Sequence, residues 1–141
     1  MDILGVNALA VIVTAIISFA FGMLWHSPVL FLKQWLRLMR ISEKEMKKAK
    51  AKAKNMNPTY AIAFLANLVL TWSIGFLLFL TSGYGASGGM IIAFACWLGF
   101  VATTTLNNVL WEGKSWALWR FSNAYYLVQF LLVGAIMGAW A

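Results

Sequence analysis

The sequence predicts an all-α membrane protein: four transmembrane helices in an antiparallel bundle, with an amphipathic helical connection between the first two. Three observations carry that expectation. Hydrophobic residues make up 62% of the 141-residue chain and charged residues only 11%, against about a quarter charged in soluble domains. Four apolar stretches reach the ~20 residues needed to cross a bilayer. Nearly all the charge falls in one place: Lys33 to Lys54 holds nine basic and two acidic residues, a net of plus seven, which equals the net charge of the whole chain.

The first span is expected at Ile3–Trp25. Asp2 stands where a signal peptide would carry positive charge, and no small-residue cleavage site follows, so this run reads as a retained anchor. The other spans are expected at Thr59–Thr81, Gly88–Trp111 and Leu118–Trp140. All are expected to be helical, because hydrocarbon offers no partner to an unpaired backbone group. The loops "SGYGAS" (Ser82–Ser87) and "EGKS" (Glu112–Ser115) are short, which makes sequential helices antiparallel neighbours. The whole chain forms a single membrane domain.

Between the first two spans, Ser27 suits an N-cap and Pro28 the first turn of a new helix. From Val29 to Arg40, Lys33, Arg37 and Arg40 share one face; Leu32, Trp35, Leu36 and Met39 share the other. That pattern describes a helix in the headgroup plane, with Lys33, Trp35, Arg37 and Arg40 meeting anionic lipids. "SEKE" (Ser42–Glu45) has capping-box spacing and opens a second, polar helix. A basic block beside apolar spans marks the cytoplasmic membrane face rather than a nucleic-acid site. Both termini then face outward, and Trp25, Trp35, Trp111, Trp116, Trp119 and Trp140 fall near the interfaces.

Polar residues within the spans indicate which faces pack. Asn7, Thr14, Ser18, Gly22 and Trp25 form a stripe on the first span; Tyr60, Asn67, Thr71 and Gly75 on the second; Gly99, Thr103 and Asn107 on the third, with Thr104 and Asn108 beside them. The fourth carries Asn123, Tyr126, Gln129 and Gly134-x-x-x-Gly138. Gly22, Gly134 and Gly138 are the expected points of close helix approach; the Gly134–Gly138 pair is the best candidate for a contact between two chains of a homo-oligomer, and packing against a neighbour within the chain is the alternative, since small residues serve both kinds of interface equally well. His26, Tyr60, Asn107, Asn108, Glu112, Arg120 and Asn123 all map near the basic end, with Asn67 and Tyr126 deeper. This one-sided cluster fits a headgroup-sized vestibule or an anchoring network at the interface. His26 suits an interfacial position, and Glu112 is its one plausible acidic partner.

No His, Cys, Asp and Glu set has metal-site spacing, and no phosphate loop, nucleophile elbow or paired carboxylates occur. No cofactor is expected. Cys96 is the only cysteine and packs as a small hydrophobe. The leading expectation is a non-enzymatic, self-associating membrane protein that forms a small-solute or lipid-related pathway. The alternatives are an accessory subunit docking a cytoplasmic protein through Ile41–Asn55, and a lipid-headgroup enzyme using His26 and Glu112.

"GMLWHSPVLFLKQW" (Gly22–Trp35), "ISEKEMKKAKAK" (Ile41–Lys52), "WLGFVATTTLNNVLWEGKSW" (Trp97–Trp116) and "NAYYLVQFLLVGAIMGAW" (Asn123–Trp140) resemble a family of small prokaryotic membrane proteins, domain of unknown function 1761. The resemblance covers nearly the whole chain in order. It implies the four-span architecture and a prokaryotic plasma (inner) membrane location, and it brings no activity, cofactor or site residues with it.

The charge asymmetry gives a topology test. In a background without Cys96, Lys48→Cys is expected to react with an impermeant thiol reagent only after the cells are opened, and Ser87→Cys to react from outside. The reverse labelling pattern would overturn the orientation.

Overall fold

The computed structural model describes residues 2–27, 30–39, 42, 44–45, 47–48, 57–82 and 85–140. Pro28, Arg40, most of the 41–55 segment and part of the Ser82–Ser87 loop lie outside the described residues. Strands β1 (Asp2–Ile3) and β2 (Val6–Asn7) precede helices α1 (Ala8–Trp25), α2 (Leu32–Met39) and α3 (Asn57–Thr81). The third long helix comprises α4 (Ala86–Cys96), a π-helical turn (Trp97–Ala102) and α5 (Thr103–Leu110); α6 (Trp116–Trp140) completes the chain. Among the described residues, four helices are long and apolar enough to cross a membrane: Ala8–Trp25, Pro58–Thr81, Ala86–Leu110 and Trp116–Trp140. They pack together as an all-α bundle in which α6 touches α1, α3 and α4.

The first span is shorter than its hydropathy suggests. Residues 2–7 form a two-stranded hairpin pairing Asp2 with Asn7 and Ile3 with Val6. Leu4 and Gly5 turn it with φ of 52° and 84°, the sign that tight primed hairpin turns require. Gly5 lies so close to the Phe79 ring that a Cβ there would come within 2.6 Å of it. The hairpin is held by Trp72, whose Nε1 donates to the Ile3 carbonyl at 3.1 Å, and by Val6, which is buried in the core. Asn7 therefore belongs to the N-cap rather than to a packing stripe, and its Oδ1 accepts the Ala10 N–H at 3.1 Å.

Ser27 also departs from expectation. Its hydroxyl donates back to the Leu24 carbonyl at 2.6 Å, so the side chain finishes α1 instead of capping α2. The new helix starts at Leu32, its path set by Leu30 and Leu32 N–H groups donating to the Ser27 carbonyl at 3.1 Å. On α2, Leu36 is buried while Lys33 and Arg37 are exposed, so its apolar face docks on the bundle, where it meets α6. Beyond it, the Ser42 hydroxyl accepts the Glu45 N–H at 3.0 Å, as the capping spacing implies.

The tightest contact joins α4 to α6. A Cβ on Gly89 would collide with the Gly134 carbonyl, one on Gly134 with the Gly89 carbonyl, and one on Gly138 with the Gly85 carbonyl. The Gly85 N–H donates to the Gly138 carbonyl at 2.9 Å. Of the two expectations for Gly134-x-x-x-Gly138, the structure shows the contact within the chain: both glycines meet α4 and the residue before it. Gly22 makes a similar approach, with the Tyr125 hydroxyl in the place of its missing side chain. Gly99, in contrast, faces open space, and a Cβ there would meet nothing within 4 Å.

The π turn precedes three threonines. Thr103 Oγ1 donates to the Gly99 carbonyl at 2.7 Å and Thr105 Oγ1 to the Val101 carbonyl at 2.6 Å, while Thr104 Oγ1 bonds the Phe100 carbonyl. These hydroxyls satisfy carbonyls of the π turn, where backbone pairing shifts register, and such back-bonding distorts helices. The apolar core of Val6, Ala10, Val11, Ile74, Leu78, Ala93, Phe130, Val133 and Met137 fills the half away from the basic end.

The glycine contacts set a stability expectation. Gly89→Ala presses a methyl group into helix backbone and is expected to destabilise the protein by about 1–3 kcal/mol, whereas Gly99→Ala is expected to stay within about 0.5 kcal/mol of wild type. Equilibrium unfolding in mild detergent checks both, and equal effects would contradict the backbone contact.

Candidate functional site

Toward the basic end α5 and α6 are spaced by side chains instead of glycines. Trp97 Nε1 donates to the Asn123 carbonyl at 3.1 Å. Thr105 Oγ1 accepts from Trp119 Nε1 at 3.1 Å and from Asn123 Nδ2 at 3.0 Å. Asn123 Nδ2 also donates to the Trp119 carbonyl at 3.0 Å. Having donated to Val101, the Thr105 hydroxyl uses its one proton and both lone pairs. Asn123 is only 2% exposed, so this bonding offsets the cost of burying its amide.

Beside this network, and bordered by Trp119, lies a pocket of about 220 Å³. Its polar lining includes Thr105, Asn108, Glu112, Lys114, Ser122 and Asn123, and Tyr126 also borders it. A second pocket of about 160 Å³ borders Leu38, Met39 and the 112–115 loop. Both share Met39, Glu112, Lys114 and Leu118, so together they describe one vestibule at the basic end. Ser115 forms the start of α6, its Oγ accepting the Leu118 N–H at 3.0 Å.

A second polar centre lies at mid-depth, where α1, α3 and α6 meet. Ser18 Oγ donates to Asn67 Oδ1 at 2.6 Å. Gln129 Nε2 donates to Ser18 Oγ at 3.0 Å and to Asn67 Oδ1 at 3.1 Å. Asn67 Nδ2 closes the network on the Ala63 carbonyl at 2.9 Å. One turn further from the basic end, Thr14 and Thr71 are buried with hydroxyls that have no partner among the described residues. A lateral cleft of about 290 Å³ reaches this centre, lined by Ala66, Asn67, Leu70, Val101, Tyr126, Gln129 and Phe130.

The structure divides the sequence-predicted residues into three groups. Asn108, Glu112, Asn123 and Tyr126 come together in the vestibule, and Asn67 joins Tyr126 at the cleft. Tyr60, Asn107 and Arg120 are exposed and border neither cavity. His26 enters an aromatic cluster instead: its ring centroid lies 5.0 Å from that of Trp35, 5.1 Å from Tyr125 and 6.4 Å from Phe121. Its Nδ1 lies 2.9 Å from the Gly22 carbonyl; a carbonyl only accepts, so Nδ1 carries the proton. Glu112 lines the vestibule, so the structure does not join these two residues in one site.

Sequence reasoning passed over Thr105, Ser122, Trp97 and Trp119 as site residues. Trp119 had the composition of an interfacial anchor, and only its pairing with Thr105 reveals its positioning role. Ser18 and Gln129 were legible as stripe residues, but no pattern in one chain aligns them with Asn67.

Four packed apolar spans, with polar pockets at one end, are the architecture of a helical multi-pass membrane protein. Residues 9–138 match the family model described as protein of unknown function (DUF1761), and the chain belongs to that family. No curated protein and no solved structure matches it.

The mid-depth network has a measurable coupling. Ser18→Ala and Asn67→Ala, combined in a double-mutant cycle, are expected to show about 0.6–1.7 kcal/mol of interaction energy in a detergent unfolding assay. Strict additivity would remove the bond between them.

Proposed function

We propose that this protein is a non-enzymatic component of the prokaryotic plasma membrane that holds one lipid-like amphiphile, polar head in the vestibule and chain in the lateral cleft. The observation that carries this reading is the position of Tyr126, which lines both cavities. A polar pocket and a largely apolar cleft that share one lining side chain suit the two halves of an amphiphile. The vestibule mouth offers one carboxylate and one ammonium, Glu112 and Lys114, to a headgroup. The separation of His26 from Glu112 favours binding over acid–base catalysis.

In this reading the basic end faces the cytoplasm, with exposed Lys33 and Arg37 on α2 near anionic headgroups. Self-association fits the third span better than the fourth. Thr103, Thr104 and Asn107 are exposed there, and the space beside Gly99 is open. A polar face turned to lipid is disfavoured, whereas a second copy provides hydrogen-bond partners.

Native mass spectrometry of protein extracted in mild detergent tests the binding reading. The wild type is expected to retain one amphiphile per chain. Ser122→Trp, which fills the vestibule, is expected to lower that occupancy at least about fivefold, the effect of losing roughly 1 kcal/mol. Equal occupancy in both proteins, or none in the wild type, would remove the reading.

A further inference from the structure

The lateral cleft contains an acceptor without a donor among the described residues, and the hydrogen-bond network determines which atom it is. The Ala63 carbonyl can only accept, so the Asn67 atom 2.9 Å from it is the amide nitrogen. Asn67 Oδ1 must then accept on its other side, which it does from Ser18 Oγ and from Gln129 Nε2. Turning Gln129 over would place two carbonyl oxygens 3.1 Å apart. Gln129 Nε2 therefore stays on Ser18 and Asn67, whose oxygens lie only 2.6 Å apart and share one of its N–H groups, and Oε1 lies at the opposite end of the amide.

That oxygen has no donor among the described residues. Gln129 is 7% exposed and lines the cleft together with the apolar Ala66, Leu70, Val101 and Phe130. The network occupies one side of its amide, so the cleft is where Oε1 can be met. A cleft between membrane spans opens to hydrocarbon, which provides no hydrogen bond. A saturated acyl chain leaves the carbonyl unpaired. A chain bearing a hydroxyl or an amide N–H pairs it.

We infer that the cleft selects an amphiphile whose chain carries a hydrogen-bond donor, a hydroxyl or amide N–H, a few carbons below its headgroup, and that Gln129 Oε1 is the acceptor. This inference rests on reading the cleft as an amphiphile site. The depth follows from α6. Gln129 lies three residues beyond Tyr126 and six beyond Asn123, about 4.5 and 9 Å along the axis at 1.5 Å per residue. The donor thus belongs on the proximal part of the chain rather than in the headgroup or at the chain end.

The test titrates the full-length protein in mild detergent with three lysophospholipids sharing one headgroup, read by native mass spectrometry. One has a plain tetradecanoyl chain; the others are hydroxylated at the third or the sixth chain carbon. At least one hydroxylated chain is expected to bind about fivefold more tightly than the plain one, as one buried hydrogen bond allows. Gln129→Met keeps the side-chain length, removes the acceptor, and is expected to abolish that preference. Equal binding of all three chains to the wild type overturns the inference and leaves the amphiphile site standing. Failure of every chain to bind overturns both. A preference that survives Gln129→Met removes Gln129 as the acceptor. Should that variant fail to fold, the wild-type ratio alone decides.

Discussion

The contact on which the rest of this structure depends is the backbone-to-backbone approach of α4 and α6. Gly89, Gly134 and Gly138 leave no side chain between the two helices, and the Gly138 carbonyl is bonded by the Gly85 N–H. In a membrane, helices gain little from the hydrophobic effect, because lipid is as apolar as they are, and close packing must hold them. The third span is thus clamped to the fourth at one end. At the other end Trp97 and Trp119 occupy the gap, each donating an indole N–H across it. A helix pair closed by glycines and propped by indoles cannot be parallel-sided. The vestibule is the open end of that wedge, and the π turn lies where the third span passes from the closed half to the open one.

Polar groups follow the same division. The core nearer the hairpin is apolar apart from Thr14 and Thr71, while Ser18, Asn67 and Gln129 sit at mid-depth and Thr105, Asn123 and Trp119 nearer the basic end. In each network one backbone carbonyl fixes the direction of every bond: Ala63 in the first and Trp119 in the second. A side chain with both donor and acceptor then has no freedom to turn over. This matters more in hydrocarbon than in water, since a flipped amide has no solvent to satisfy it. Specific orientation follows at small net energy, because each bond contributes only about 0.6 kcal/mol on average.

The span pattern was legible because it depends on composition alone: four apolar runs separated by short loops or charge. What composition misses is partnership. Leu4 is not a residue that announces a turn, so the hairpin at residues 2–7 was hidden in an apolar run; only Gly5 hinted at it. Gly134-x-x-x-Gly138 announced close approach but not its target, since one chain's small residues serve internal and external contacts alike. Ser18, Asn67 and Gln129 were each visible on a stripe, yet their meeting depends on how far each helix is shifted along its axis. The first span ends at Trp25 as expected, but Ser27 does not cap the next helix, which starts at Leu32, because a serine hydroxyl can finish one helix as readily as start another.

The placement of His26 shows why the basic end can be rigid and still contain an open site. The imidazole is enclosed by Trp35, Tyr125 and Phe121 and tied to the Gly22 carbonyl. Trp25 adds contacts with Phe31, Phe121 and Tyr125 at centroid separations of 4.6, 5.9 and 5.8 Å. Such aromatic pairs contribute beyond their buried area, about 0.5–1.5 kcal/mol each. They join α1, α2 and α6 on one side of the basic end, so Met39 at the end of α2 is held against the vestibule. On the opposite side the Thr105 network ties α5 to Trp119 and Asn123, and the Lys114 N–H donates to the Asn108 carbonyl at 3.0 Å. The basic end is thus tied on one side by aromatic packing and on the other by hydrogen bonds, while the glycine contact holds the far half of the bundle.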